Sequence, residues 1–384
     1  MYDAAILIGR FQPVHAGHVA LLREALARAH HAIAIVGSAY QARSAKNPFT
    51  WQERAAMLRD ALPAHDAARL TVLPVRDCYD EPVWAQTVRE TVARHTAPQA
   101  RIGLVGHFKD ASSDYLHAFP GWPLIRMERQ GSIDATTIRD AYFGATPETI
   151  AAALAPLAAD IPPATQALLA QFACQPGYLV LQEEWQALRG YRAAWAGAPY
   201  PPVFVTVDAV VRSQNHVLLI RRAHAPGKGL WALPGGFLEP RDTLWQSCLR
   251  ELAEETACAL PEATWRAALQ QVTVFDHPDR SQRGRTITHA HYFDLQHPPL
   301  PEVRPGDDAA HAEWVAIDQL ASMEDAFFED HFHMLDHFSA TGRKKQSHPN
   351  LLRLMLPHSR LRLTPNNALS TSMTLVRRHS LVAA

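Results

Sequence analysis

Residues 4 to 18 read Ala4-Ala5-Ile6-Leu7-Ile8-Gly9-Arg10-Phe11-Gln12-Pro13-Val14-His15-Ala16-Gly17-His18. Ala4 to Ile8 is a short apolar run closed by Gly9, followed by a turn punctuated by Pro and Gly and then a helical pattern from Val19 to Ala29. This is a strand, loop, helix opening, and α/β sheets bind ligands where such a strand hands over to its helix. Gly9 and Gly17 let backbone approach a ligand closely, and His18 falls in the first helical turn, whose amides favour phosphate. His15, His18 and Arg10 add donors suited to a polyphosphate. One isolated His near a helix start would more simply be a local cap; the whole string Gly9 to His18 points beyond capping.

The same alternation continues outward. Ala32 to Val36 reads as a strand, Thr50 to Leu62 as a helix, Leu70 to Val75 as a strand and Val83 to His95 as a helix. Ile102 to Val105 and Leu124 to Met127 supply further strands, and a helix starts near Thr136. Strands alternating with helices imply a parallel, doubly wound, Rossmann-like α/β sheet. Pro147 to Trp195 is Ala-, Leu- and Gln-rich with helical periodicity, which predicts connecting helices rather than a flexible linker. Beyond Gly197 to Pro202 the pattern changes. Val203 to Arg212 and Val217 to Arg221 read as a hairpin, Thr243 to Thr256 as a helix, and Val272 to Phe275 and Thr286 to Leu295 as strands, a mixed α/β/α sandwich. The resulting division is 1–145, 146–198, 199–340 and a tail, 341–384. That tail carries eight Lys or Arg and no Asp or Glu and reads as disordered.

The string Gly9 to His18 resembles the HxGH signature of nucleotidyltransferases, and its longer GRFxPxHxGH form is similar to nicotinamide mononucleotide adenylyltransferases of the archaeal type. Ala42 to Thr50, Glu53-Arg54, and Gly106-His107-Phe108-Lys109-Asp110 with Tyr115 agree with that resemblance. It implies that Gly9, Arg10, Phe11, Gly17, Asn47, Lys109 and Thr136 bind ATP or the mononucleotide, and that His15, His18 and Arg139 are catalytic. Thr136 and Arg139 match the family's late Ser/Thr-x-x-Arg motif, while Asp134 stands where a Ser is expected, near the triphosphate; an Asp can also cap the following helix. Trp84 resembles the aromatic that stacks on the nicotinamide ring, and a core Trp is an equal reading. The implied reaction is attack of a mononucleotide 5'-phosphate on the α-phosphorus of ATP, with Mg2+ carried in by ATP.

A second motif lies at Leu233-Pro234-Gly235-Gly236, continuing through Asp242 to Arg250-Glu251-Leu252-Ala253-Glu254-Glu255-Thr256-Ala257. On a helix Glu251, Glu254 and Glu255 share one face, and such a cluster repels itself by a few tenths of a kcal/mol per pair unless a cation intervenes. Hard oxygen ligands suit Mg2+ or Mn2+. A bare Glu-Glu pair is usually a solvated face; the upstream Gly-Gly turn and Arg250 at fixed spacing argue otherwise. The segment resembles the Nudix box, Gx5Ex7REUxEExGU, anchored on Gly236. The resemblance implies Glu254 and Glu255 as principal metal ligands, Glu251 as a ligand or the base, and Arg250 as a partner holding a carboxylate. Asp242 replaces the first Glu of the box and Ala257 its Gly. Phe275 to Arg280 with Arg283 to Arg285, and Gly306 to Ala309 with Glu313 to Val315, look like Nudix enzymes that hydrolyse ADP-ribose or related dinucleotides, or are an ordinary loop and strand edge.

Together the motifs resemble bifunctional adenylyltransferase/Nudix proteins over about residues 1 to 340. The expected ligands are ATP, nicotinamide mononucleotide and ADP-ribose, with Mg2+ or Mn2+ in both halves. The alternatives are a Nudix half acting on another dinucleotide or sensing ADP-ribose, and a transferase for pantetheine phosphate, a sugar-alcohol phosphate or nicotinate mononucleotide. Composition sets the remaining bounds. The 384 residues are 47% hydrophobic and 20% charged, enough for two cores. A formal net charge of -1 does not suit a dedicated nucleic-acid binder, so nucleic acid is not expected as a partner. Four scattered cysteines give no zinc or disulfide pattern and fit a reducing cytoplasm. No apolar run reaches the roughly 18 residues that span a bilayer, and a homo-oligomer stays open.

Overall fold

The computed structural model describes residues 1–106, 116–128, 133–296 and 299–342. The expected contribution of Lys109 and all but the first two residues of the 341–384 tail lie outside them. The first half runs β1 (Tyr2–Gly9), α1 (Ala16–Arg28), β2 (Ala29–Val36), α2 (Trp51–Asp60), the single turn α3 (Ala64–Ala67), β3 (Leu70–Pro74), α4 (Glu81–Ala93), β4 (Ile102–Gly106), β5 (Leu124–Arg126) and α5 (Ala135–Phe143). The five strands pair in parallel in the order β3-β2-β1-β4-β5. Ala4 to Leu7 are buried on both faces, which is why β1 reads as a continuous apolar run rather than an alternating one. One face packs on α1, α2 and α5, the other on α4 through Ala85, Val88 and Val92. β2 starts at Ala29, earlier than its apolar run suggests, because Ala29 adopts an extended conformation that ends α1 and pairs with Tyr2.

The helices between the halves are α6 (Ile150–Leu154), α7 (Pro163–Ala173) and α8 (Pro176–Ala194). They do more than connect. Tyr178 is fully buried and its hydroxyl donates to Tyr142 O and Ala145 O at 2.7 and 2.6 Å, while Phe172 meets Phe49 edge-on, so α7 and α8 extend the first core. The far end of α8 packs Tyr191 and Trp195 against Phe204 of the second half, each with centroids 5.4 Å apart.

The second half contains β6 (Val203–Ser213), β7 (His216–Arg222), β8 (Trp231–Ala232), β9 (Gly235–Phe237), α9 (Leu244–Thr256), α10 (Glu262–Ala268), β10 (Leu269–Phe275), β11 (Arg285–Asp294), β12 (Ala309–Ala316) and α11 (His331–Gly342). Its sheet has the order β10-β11-β6-β7-β12, with β8 on β7 and β9 on β6; only β11 with β6 is parallel. The mixed sandwich and the β6/β7 hairpin agree with the sequence pattern. Helix α11 was not expected and runs two residues past the boundary at 340, because Phe332, Leu335 and Phe338 give it a buried stripe against the sheet.

Two candidate active sites

β1 ends at Gly9, whose carbonyl accepts from Gly37 N–H at 3.0 Å, tying the first two strand ends together. The loop that follows is held from below by Arg54. This guanidinium is buried and donates to Arg10 O and Gly37 O, both at 2.7 Å, and to Ser38 O at 3.2 Å. Burial lowers its pKa to about 10, so it stays charged at neutral pH and serves as a pin rather than a surface charge. His15 is the N-cap of α1, where Ser, Thr or Asp is usual: its Nδ1 accepts from Gly17 N–H at 3.2 Å, and His18 Nδ1 accepts from His15 N–H at 3.3 Å. In each neutral ring an accepting Nδ1 places the proton on Nε2. Both imidazoles, with centroids 3.8 Å apart, therefore carry Nε2 donors at the amide end of a helix. Capping and anion binding are not rival readings here, because one cap geometry orients the rings for the other use.

Arg139 joins the same loop. Its Nη1 donates to Gln12 O at 2.6 Å and its Nη2 to Thr136 Oγ1 at 3.1 Å, and burial followed by the charge of Arg10 lowers its pKa to about 10. Asp134 is the N-cap of α5, with Oδ1 accepting from Thr137 N–H at 2.8 Å and Thr137 Oγ1 at 3.1 Å. The departure from Ser thus keeps a capping acceptor. A cavity of about 570 Å3 opens at the ends of β1, β2 and β3 and is lined by Gly9, Arg10, Asn47 and Trp84 among others. Trp84 is half-buried and packs edge-on to Phe119 at 5.9 Å, so it is both a core contact and a cavity wall. Phe11 is buried at a positive φ of 54° and meets His18 edge-on; it supports the ring rather than lining the cavity. Asp77, unassigned by motif, accepts from Ser38 N–H (2.9 Å), Ser38 Oγ (2.6 Å) and Gln41 Nε2 (3.2 Å) in that cavity. Its position just past the end of β3 was the available signal.

In the second half β9 enters α9 through a Thr243/Gln246 capping box. A Cβ at Gly235 would collide with the backbone carbonyl of Val207, so that position excludes a side chain, and one at Gly236 would push the Glu251 carboxylate out of its place. Glu255 is buried and its Oε2 accepts from Gly235 N–H at 2.8 Å; burial pushes its carboxyl up to about 8. Burial also raises the Glu251 carboxyl, against the opposing charge of Arg250. Arg250 donates to Asp242 at 3.3 Å, Glu251 at 3.0 Å and Glu254 at 2.7 Å. The shorter Asp242 still reaches this partner, and also accepts from Ser247 Oγ at 3.2 Å. Beneath the glycine turn Asp208 is buried, accepts from Thr288 Oγ1, and is held above the usual carboxylate range by burial. Among the described residues no three His, Cys, Asp or Glu stand close enough to enclose a metal ion; Arg250 spans Glu251 and Glu254. The donor set nevertheless fits a hard divalent cation, since the buried Glu255 and the half-buried Glu251 are acids set close against Gly235 and Gly236. Ala257 ends α9 at φ 50°, ψ 22°, the left-handed conformation for which the motif's Gly is suited.

Two family models match the chain: a cytidylyltransferase-like domain over residues 6–98 and a NUDIX domain over residues 202–338. A nicotinamide/nicotinic acid mononucleotide adenylyltransferase of Acinetobacter baylyi is 37% identical over 143 residues, 37% of this chain and 76% of that protein. An ADP-ribose pyrophosphatase of Methanocaldococcus jannaschii is 34% identical over 119 residues, 31% of this chain and 65% of that protein. The crystal structure of a bifunctional NMN adenylyltransferase/ADP ribose pyrophosphatase from Francisella tularensis, complexed with AMP and a manganese ion, aligns at a TM-score of 0.80 with 33% identity, covering 89% of this chain and 99% of that one.

The chain belongs to the bifunctional nucleotidyltransferase/Nudix family. Family membership accounts for both constellations standing on one polypeptide, each at the strand-to-helix junction of its own sheet. Within the described residues the structure brings together His15, His18, Arg139 and Thr136 around one loop, and Glu251, Glu255 and Gly236 around another. It keeps Glu254 exposed on the outer side of Arg250.

Proposed function

We propose that this chain catalyses two reactions: adenylyl transfer from ATP to nicotinamide mononucleotide, giving NAD and pyrophosphate, and hydrolysis of ADP-ribose to AMP and ribose 5-phosphate. The observation that carries this reading is the match to a bifunctional relative over 99% of that relative's length, with the Gly9 to His18 string and the box residues Arg250, Glu251, Glu254 and Glu255 present here. In the first reaction a 5'-phosphate oxygen attacks the α-phosphorus of ATP and pyrophosphate leaves, with no covalent enzyme intermediate. Gly9, Gly17 and the α1 N-terminus bring backbone close to the phosphates, while His15, His18 and Arg139 neutralise developing charge. Arg10, Asn47, Thr136 and Lys109 bind the nucleotides, with Phe11 behind His18 and Trp84 against the mononucleotide base. Mg2+ enters with ATP.

In the second reaction Glu251, Glu254 and Glu255 hold Mg2+ or Mn2+, and Arg250 and Asp242 position the trio. The metal supplies polarisation of a pyrophosphate oxygen and a lowered pKa for the attacking water. The manganese ion in the Francisella tularensis structure supports this choice. We take 1–145 as the transferase, 146–198 as helices that extend its core, and 199–340 as the hydrolase, working in the cytoplasm on free nucleotides.

The test incubates the protein with Mg2+, and in parallel with Mn2+, in two tubes, one holding ATP and nicotinamide mononucleotide, the other ADP-ribose. NAD in the first and AMP in the second are expected. Survival of ADP-ribose under both metals would overturn the hydrolase half, and absence of NAD the transferase half.

A further inference from the structure

The cavity at the ends of β1, β2 and β3 has a wall that comes from the other half of the chain. The turn between β10 and β11 reaches across to it. There the His277 ring stacks on Tyr79, with centroids 4.4 Å apart and planes 24° from parallel. Asp279 Oδ1 stands 3.5 Å from Lys46 Nζ, and both His277 and Asp279 line the cavity.

The turn is fixed from its own side. Arg280 makes a buried two-bond pair with Asp330 at 2.9 and 2.8 Å, and Glu329 accepts from Ser281 Oγ and Gln282 N–H, both at 2.9 Å. The two halves are also fixed to each other. Arg76 pairs with the buried Glu324 at 2.5 Å, and buried Glu184 of α8 accepts from Ala45 N–H of one half at 2.9 Å and from Gly227 N–H of the other at 3.2 Å. His277 and Asp279 are therefore presented at a defined place in a pocket within the size range of small-molecule sites. The Asp279 side chain is 76% exposed, so Lys46 does not sequester it from the cavity.

We propose that this turn, residues 276 to 283, completes the mononucleotide subsite of the transferase, with His277 and Asp279 as specificity-determining residues. The proposal rests on the adenylyltransferase reading above. The ligand class is a nucleoside 5'-monophosphate whose base is an N-ribosylated pyridine ring. Arg10 and Lys46 supply positive charge for its phosphate. Asp279 supplies an acceptor for a ribose hydroxyl and a negative charge for the cationic ring, and the Tyr79/His277 stack supplies a flat aromatic wall. Of the other carboxylates that line the cavity, Asp77 already accepts three hydrogen bonds and Glu184 and Glu329 two each, which leaves Asp279 as a more adaptable acceptor than these.

The experiment measures steady-state transfer by full-length wild type, Asp279→Ala, Asp279→Asn and His277→Ala, varying nicotinamide mononucleotide at saturating ATP and then the reverse. KM for ADP-ribose hydrolysis and the thermal midpoint are read on the same preparations. The expected result is a rise of about tenfold in the mononucleotide KM for both Ala variants, the loss of one hydrogen bond or ring contact, with the ATP KM within about twofold. Asp279→Asn, which keeps an acceptor and the shape, should recover part of the loss and covers the case in which His277→Ala fails to fold. A mononucleotide KM unchanged within about twofold would reduce the turn to a domain contact and overturn the proposal. So would a parallel rise in both transfer KM values with a lower kcat, or a rise confined to the ADP-ribose KM. A wild type that makes no dinucleotide at all would instead sink the adenylyltransferase reading, and this proposal with it.

Discussion

Glu255 Oε2 accepts the backbone N–H of Gly235 at 2.8 Å, which locks the last glutamate of α9 to the glycine turn that begins β9. The lock orients a buried acid whose burial lifts its carboxyl to about 8, a group that gains most from a cation beside it.

Glu255→Gln keeps the shape and an oxygen acceptor for Gly235 N–H but removes the negative charge. ADP-ribose hydrolysis should fall about a hundredfold or more, the several kcal/mol expected from a misplaced catalytic metal, while NAD formation stays intact. Loss of both activities in a folded protein would show that the two sites are not independent.

His18→Ala removes the Nε2 donor and the acceptor for His15 N–H at the head of α1. Dinucleotide synthesis should drop about a hundredfold or more, as when one preorganised donor to a developing charge is deleted, with ADP-ribose hydrolysis unaffected. Retained synthesis would assign His18 to capping alone.

Ala257→Gly should stabilise the second half. Ala257 sits at φ 50°, and a non-glycine residue there costs about 1 kcal/mol, partly offset by the greater flexibility of Gly in the unfolded chain. The expected gain is roughly 0.5 kcal/mol, read as a higher urea midpoint at unchanged slope. A lower midpoint would mean that the Ala257 methyl group makes a stabilising contact.

His331 is buried and its Nδ1 accepts from Leu233 N–H at 2.9 Å; burial lowers its pKa from 6.5 to about 4. The unfolded chain therefore binds a proton between these values that the folded chain refuses. Stability is full above about pH 6.5 and is lost as pH falls toward 4, by up to about 3 kcal/mol from this group. His331→Gln should flatten that part of the profile of thermal midpoint against pH, and an unchanged slope would remove His331 as its source.

Much of this architecture was readable in one dimension. The alternation of short apolar runs with helical patterns announced a parallel sheet, and the burial of Ala4 to Leu7 on both faces explains why β1 is continuously apolar. The spacing of Glu251, Glu254 and Glu255 predicted one helical face because the α-helix repeats every 3.6 residues, whereas the structure buries Glu255 and leaves Glu254 exposed beside Arg250. Asp134 and Asp242 were ambiguous, since a short acid can cap, repel or pair according to what stands opposite it. The structure makes the first a cap and the second a partner of Arg250.

What the chain determined by itself was local: most of the elements, the two motifs, and the place at the end of α9 where Ala257 stands for the box Gly. What only tertiary structure decided was long-range. Arg54 pinning the loop at Arg10, Glu184 joining Ala45 to Gly227, and His277 stacking on Tyr79 each join residues distant in sequence. No periodicity encodes such pairs, because their geometry is set by how the two sheets and the helix between them pack, not by the spacing of residues along any one element.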